Sequence, residues 1–266
     1  MTKNEHFLSV IIPVYKQEKT IKDDLKNIIS TLNKIRYDYE IIVVVDGTKI
    51  DKSYKISKSI NNPHLKIYGY KKNYGKGYAV RFGMARTKGD YISFLDSGME
   101  IDPNGISMLL EHLEWYNADV IVGSKNHPAS QINYPLQRKI LSFGAHIIAR
   151  YLLAINVTDT QAGLKIFKRK VLLKVLPRLL VKKYAIDLEI LSVANSLGFK
   201  KIYEAPIKLK YATDSYIRAV GLKTIYQCLI DALAVFYRLR ILHYYDDDNK
   251  RHWIFDKDLQ MRININ

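Results

Sequence analysis

A single cysteine, Cys228, stands in a chain of 266 residues, which excludes a disulfide framework and a cysteine-rich metal centre. No stretch of about eighteen uncharged apolar residues occurs, so no segment reads as a membrane span. The basic residues are dispersed and no Lys/Arg block resembles a nucleic-acid-binding tail. The opening residues, Met1 to His6, carry no apolar signal core, so export is not expected and a reducing cytoplasm fits. There is no internal repeat, no low-complexity stretch and no linker rich in Pro, Gly or Ser. No GxGxxG follows the first apolar run, which sets aside a dinucleotide-dependent oxidoreductase.

What is present is a globular composition with a strong charge bias. Hydrophobic residues make up 48%, enough for one large domain or one domain with an appendage. The formal net charge of +16, from 42 basic against 26 acidic residues, calls for an anionic partner. Nucleic acid, anionic lipid headgroups and phosphorylated substrates all meet that requirement on charge alone.

Short apolar runs alternate with helical periodicity. Strands are expected at Phe7–Ile12, Glu40–Val45, Leu65–Gly69, Tyr91–Leu95, Asp119–Val122, a run ending at Phe167, and an edge strand within Lys201–Lys210. Ile21, Leu25, Ile28 and Leu32 recur at helical spacing, with Thr20 placed to cap them. Further helices are expected over Gly77–Ala85, after Pro103, from Gln137 to Leu153 and around Ile186–Leu197, where Gly198 stops the last. Such alternation implies an α/β fold with a largely parallel sheet covered on both faces.

The segment Gly89–Glu100 carries the most information. A buried strand ends at Asp96, where an open α/β sheet binds ligands, and an isolated buried carboxylate is costly unless paired or coordinating a cation. A turn-capping Asp is the bland alternative. Around it stand Leu8-Ser-Val-Ile-Ile-Pro-Val-Tyr-Lys-Gln-Glu18, Glu40-Ile-Ile-Val-Val-Val-Asp-Gly-Thr48, Asn73-Tyr-Gly-Lys-Gly77 and Asp159-Thr-Gln-Ala-Gly-Leu-Lys-Ile-Phe167. These five segments, in this order, closely resemble glycosyltransferase family 2 enzymes. The DTQxGxKxF pattern is similar to the polyprenol-phosphate (dolichyl-phosphate) mannose or glucose synthase type. The likeness covers about Phe7 to Leu242.

That resemblance implies a GT-A fold, a Rossmann-like sheet flanked by helices with a C-terminal amphipathic helical extension. It implies an inverting transfer of a hexose from a UDP- or GDP-linked sugar to a polyprenyl phosphate. Pro13, Tyr15, Glu18, Val45 and Asp46 would surround the base and ribose, with Val45 replacing the first Asp of the family's DDGS turn. Lys76, in a loop whose glycines let the backbone come close, would meet the diphosphate, and Lys125 would touch the phosphates. The family's Asp-x-Asp falls on Asp96, Ser97 and Gly98, so its second carboxylate is missing. Mg²⁺ or Mn²⁺ is therefore expected on Asp96 and Glu100, the rest of its shell coming from diphosphate and water. Asp159, Arg138 and Lys165 are the expected catalytic residues, Asp159 orienting the attack and Lys165, with Lys168 or Arg169, holding the acceptor phosphate. Glu189 is held in reserve, and Asp187 is expected to be structural.

The expected organisation is a catalytic domain over 1–213, an amphipathic helix over 214–245 and a polar tail over 246–266. The helix has a narrow polar stripe (Lys223, Gln227, Asp231, Arg238) in an otherwise apolar surface. Two readings stay open for it, a helix lying in a membrane interface and one packed on the core or a second subunit. The first would hold the chain peripherally at the inner membrane face, on anionic lipid. Two rivals also remain: a family member acting on a glycan or glycerolipid, and a catalytically silent binding protein disabled at Gly98. Base, sugar and oligomeric state stay open.

Overall fold

The computed structural model describes residues 6–98, 101–130, 155, 157–209, 222–249, 252–259 and 261–264. Nine strands are found among them: β1 (Phe7–Val14), β2 (Asp38–Asp46), β3 (Leu65–Tyr70), β4 (Tyr91–Leu95), β5 (Val120–Ser124), β6 (Leu164–Lys168), β7 (Ile202–Pro206), β8 (Trp253–Asp256) and β9 (Met261–Asn264). The α-helices are α1 (Ile21–Leu32), α2 (Ser53–Lys58), α3 (Lys76–Met84), α4 (Gly105–Trp115), α5 (Arg169–Val175), α6 (Ile186–Ser196) and α7 (Leu222–Arg240). A 3₁₀ turn at Leu176–Arg178 follows α5.

Seven strands form one sheet in the order β3-β2-β1-β4-β6-β5-β7. All neighbours are parallel except β6, which runs antiparallel to both β4 and β5. The seven strand expectations hold, with β7 at an edge, and the one antiparallel insertion is the feature that strand patterning does not reveal. Apolar residues point to both faces, which is why β1 and β2 read as unbroken apolar runs. Leu8, Val10, Ile12, Val43 and Val45 pack under α1 and α4, while Ile11, Ile42, Val44, Ile92 and Phe94 pack under α3, α5, α6 and α7.

The order reverses between β1 and β4, so their carboxyl ends flank the crevice where doubly wound sheets bind ligands. Helix α1 buries Ile21, Leu25, Ile28 and Leu32, as their spacing requires. Thr20 precedes it without capping: its hydroxyl donates to Gln17 Oε1 instead. Helix α6 ends in Gly198 at φ 91°, the left-handed turn expected of a terminating glycine. The helix expected at Gln137–Leu153 lies outside the described residues.

The C-terminal expectations need correction. The segment expected as a polar tail over 246–266 contains the β8–β9 hairpin, and Leu259 beside it is buried in the core. Arg86 on the α3 side donates to the Asp258 carbonyl at 2.7 Å, holding the hairpin down. Apolar side chains (Leu259, Ile263) supply the seat, so the segment belongs to the main body. Helix α7 packs one face on the core and leaves another exposed. Ala232, Val235 and Leu239 are buried, whereas Tyr226, Leu229, Ile230, Leu233 and Tyr237 are exposed.

Candidate active site

The carboxyl ends of β1, β2, β4 and β5 bring the sequence motifs to one rim. Asp46 closes β2 and is buried; its Oδ1 accepts the Tyr74 amide and its Oδ2 the Gly75 amide, both at 2.8 Å. These bonds take one acceptor site on each oxygen of the carboxylate expected on base or ribose. Asp46 thereby fixes the loop that presents Lys76. Gly75 has φ 102°, and a Cβ there would lie 2.5 Å from the Lys182 carbonyl oxygen, so no other residue fits without strain.

Lys76 reaches across the crevice. Its Nζ donates to Asp96 Oδ2 at 2.8 Å and to Asp187 Oδ2 at 3.3 Å. Burial disfavours the ammonium, but Asp187 and Asp96 more than offset that and raise its pKa above the ordinary lysine value. Asp96 follows β4, and its amide donates to the Gly163 carbonyl at 3.0 Å. The antiparallel register sets this up, since Leu95 pairs with Leu164 and puts the Asp159–Gly163 loop against Asp96. A Cβ on Gly163 would lie 2.3 Å from Asp96 Oδ2, which explains the glycine of that loop.

Lys165 does not stand where an acceptor phosphate arrives. It is fully buried, and its Nζ donates to Asp187 Oδ1 at 2.7 Å and to the Ala162 carbonyl at 2.6 Å. Burial, only partly countered by Asp187, pushes its pKa below the ordinary value, with Lys76 repelling it further. Asp187 is itself buried, yet Lys165 and Lys76 hold its carboxyl below the usual range. Both ammonium groups also face the Phe94 ring, at 5.6 Å for Lys76 and 5.1 Å for Lys165. Asp187, expected to be structural, is the buried hub of the cluster. The legible signal was a pair of carboxylates, Asp187 and Glu189, in a helix otherwise packed with apolar residues, because a buried carboxylate needs a cation or several donors.

Lys168 and Arg169 are also removed from the acceptor role. In the β4–β6 register Lys168 pairs with Tyr91, at the opposite end of the strand from Asp96, about 16 Å away at ~3.3 Å per residue. Lys168 donates to Asn117, and Arg169 to the Thr87 and Gly89 carbonyls.

Asp159 accepts the Lys125 amide at 2.9 Å and the Gln161 amide at 3.2 Å, and Lys125 Nζ lies 3.6 Å from it. Glu204 of β7 holds this turn by accepting from the Thr158 amide and hydroxyl and the Asp159 amide. Asp159 thereby ties Lys125 to the rim. Pro13 is buried in β1, and Val45 is buried beneath the sheet's α1 face. Tyr15 beyond β1 is exposed, and Glu18 accepts the Lys52 amide, which turns it toward the α2 side. Gly98 has φ 94°, and nothing but Gln17 would meet a Cβ there, so backbone conformation calls for glycine at the position of the family's second Asp. The Gly98 amide and Thr20 hydroxyl face Asp24, a buried carboxylate that burial pushes up. Glu100 and Arg138 lie outside the described residues.

For a divalent cation, the described residues hold no cluster of three or more His, Cys, Asp or Glu side chains. Asp96, with its side chain 39% exposed at the crevice, fits as a single protein anchor for a hard cation that takes its other oxygens from diphosphate and water.

The chain is 28% identical over 206 residues to a dolichyl-phosphate β-glucosyltransferase of Dictyostelium discoideum, covering 72% of this chain and 63% of that protein. The human protein of that name is 29% identical over 221 residues, covering 77% of this chain and 67% of the relative. The chain thus spans about two thirds of the length of these relatives. Among solved structures, glucosyl-3-phosphoglycerate synthase of Mycobacterium tuberculosis with Mn²⁺, UDP-glucose and phosphoglyceric acid superposes at a TM-score of 0.66 with 17% identity, over 98% of this chain and 87% of that one. Mannosyl-3-phosphoglycerate synthase of Rubrobacter xylanophilus gives the same TM-score at 15% identity, over 95% of this chain and 84% of that one. These superpositions show a shared GT-A fold. Residues 9–176 match the model of glycosyl transferase family 2, and the chain belongs to that family.

Proposed function

We propose that the chain transfers glucose from UDP-glucose to a polyprenyl phosphate, inverting the anomeric carbon. The observation that carries this reading is the meeting of Lys76 and Asp96 with the Asp159–Gly163 loop at one sheet rim. The names of the relatives support glucose and a dolichyl-type acceptor.

In this reading Lys76, preorganised by Asp46 and Gly75, neutralises the donor diphosphate. Mg²⁺ or Mn²⁺, when bound at Asp96, supplies further positive charge for the leaving group. A lipid phosphate oxygen attacks the anomeric carbon and the nucleoside diphosphate departs. The acceptor is already ionised at neutral pH, so no strong base is required, and what the protein supplies is position. Lys125, tethered by Asp159, is a cation at the rim that meets the incoming phosphate. Lys165 acts from below, keeping Asp187 ionised against Lys76.

The same reading places the chain at the inner face of a membrane. The exposed apolar and aromatic face of α7, together with the net charge of +16, suits an anionic bilayer surface. Helix α7 also stands beside the cluster: the Cys228 thiol, pushed up first by burial, feels the charges of Asp231 and Asp187. No described helix is long and apolar enough to cross the bilayer.

The test is incubation with labelled UDP-glucose or GDP-mannose, dolichyl or undecaprenyl phosphate and Mn²⁺, followed by organic extraction. Extractable label from UDP-glucose, lost in Asp96→Asn, is expected. No extractable label from either donor, or equal label with Asp96→Asn, refutes the reading.

A further inference from the structure

We propose that Tyr245 and Glu189 form a clamp through which the C-terminal segment positions the Lys76 loop, making both of them positioning residues for the donor diphosphate. This rests on the reading that the diphosphate binds at Lys76. Glu189 lies two residues beyond Asp187 on α6 and is fully buried. Its carboxylate does not face the ionic cluster. It accepts the Leu180 amide at 3.0 Å, the Val181 amide at 2.9 Å and the Tyr245 hydroxyl at 2.7 Å, with Arg238 3.7 Å away.

The strap held in this way, Leu180–Lys183, is the backbone that covers the Lys76 loop. The Tyr78 amide donates to the Lys182 carbonyl at 3.1 Å. A Cβ on Gly77 would lie 2.7 Å from the Val181 carbonyl oxygen, and one on Gly75 would lie 2.5 Å from that of Lys182. Strap and loop are therefore in backbone contact on both sides of Lys76. A shift of the strap must move the loop or open a gap over it.

Tyr245 anchors the start of this strap at two points. Its hydroxyl binds Glu189, which holds the Leu180 and Val181 amides, and its carbonyl accepts Arg178 Nε at 3.1 Å just before the strap begins. Arg238 of α7 donates to the same hydroxyl at 2.9 Å and orients it toward Glu189. The ring is fully buried, so the bond is made away from competing water. Two residues of the C-terminal segment, more than 150 positions from Lys76, thus set the backing of the diphosphate loop.

The experiment compares wild type, Tyr245→Phe and, as a control in another part of the surface, Tyr203→Phe. UDP-glucose affinity is measured by calorimetry with Mn²⁺, and hydrogen exchange is followed for peptides spanning 75–84 and 179–185. Loss of a hydrogen bond to a buried carboxylate should raise the donor Kd of Tyr245→Phe about three- to tenfold. Exchange should quicken in both peptides together, and the acceptor KM should stay within about twofold. Tyr203→Phe should match wild type. A lowered melting temperature with unchanged donor Kd and unchanged exchange at 75–84 would reduce Tyr245 to a packing residue and overturn the clamp alone. If Tyr245→Phe does not fold, Arg238→Lys, which keeps the charge but displaces the donor, carries the same comparison. A wild type that binds no UDP-glucose overturns the functional reading and the clamp with it.

Discussion

Replacing Asp187 by Asn tests the ionic hub most directly. Asp187 is 2% exposed and spans two ammonium groups, Lys165 at 2.7 Å and Lys76 at 3.3 Å. Lys165 is fully buried, and its other hydrogen-bond acceptor is one backbone carbonyl, that of Ala162. Neutralising Asp187 leaves that ammonium in a low-dielectric site without its paired counter-charge, a change that costs about 3–5 kcal/mol. A domain with ~5–15 kcal/mol of total stability would feel this as a large loss. Asp96→Asn is the contrast. Its side chain is 39% exposed, and Lys76 keeps Asp187 as a partner, so stability should change by less than about 1 kcal/mol while transfer is abolished. Guanidinium unfolding, with the cycle Asp187→Asn, Lys165→Met and the double variant, measures the coupling. The double variant should recover at least ~2 kcal/mol of the summed single losses, because no charge is then left unpaired. A cost below about 1 kcal/mol for Asp187→Asn, or additive effects in the cycle, would refute the hub.

Gly163→Ala should cut activity at least tenfold with little loss of fold, because its Cβ would meet Asp96 Oδ2 at 2.3 Å and turn that carboxylate away; initial rates beside circular dichroism check it. Lys168→Ala should leave turnover within about twofold, since Lys168 sits at the far end of β6, and a large loss would restore it to the acceptor site. Glu40 gives a pH test. It is buried, but Lys66 and Ser9 outweigh that burial and lower its carboxyl below the ordinary value. A folded pKa below the unfolded one means stability that is present above about pH 4.5 and lost as pH falls through the folded pKa. Glu40→Gln should therefore cost about 1–3 kcal/mol at pH 7. The gap to wild type should close under acid titration, and a gap independent of pH would refute the pairing.

Much of the fold was legible in one dimension. Apolar residues on both faces of β1, β2 and β4 require helices on both sides, and the 3.6 period of Ile21, Leu25, Ile28 and Leu32 requires α1. The motifs also placed Asp46, Lys76, Asp96 and Asp159 at strand ends or in the turns beyond them, since strand patterning says where each apolar run stops. What patterning could not give was partner choice. Lys165 and Lys168 are three residues apart on one strand, and only the antiparallel register with β4 shows one beneath the site and the other beyond reach. Asp46 ends a strand where a nucleotide ligand was expected, and only the fold shows that it also holds the Tyr74 and Gly75 amides.

The amino-acid order alone thus determined which segments form strands and helices, because burial period is a local property. It also fixed the net charge of +16, which calls for anionic partners, because charge is additive along the chain. Tertiary structure decided which of the acids and bases face a substrate and which satisfy one another. That choice depends on which carboxylate a folded backbone brings within about 3 Å of an ammonium or amide. Asp187, Glu189 and Tyr245 acquire their roles from contacts between segments far apart in sequence.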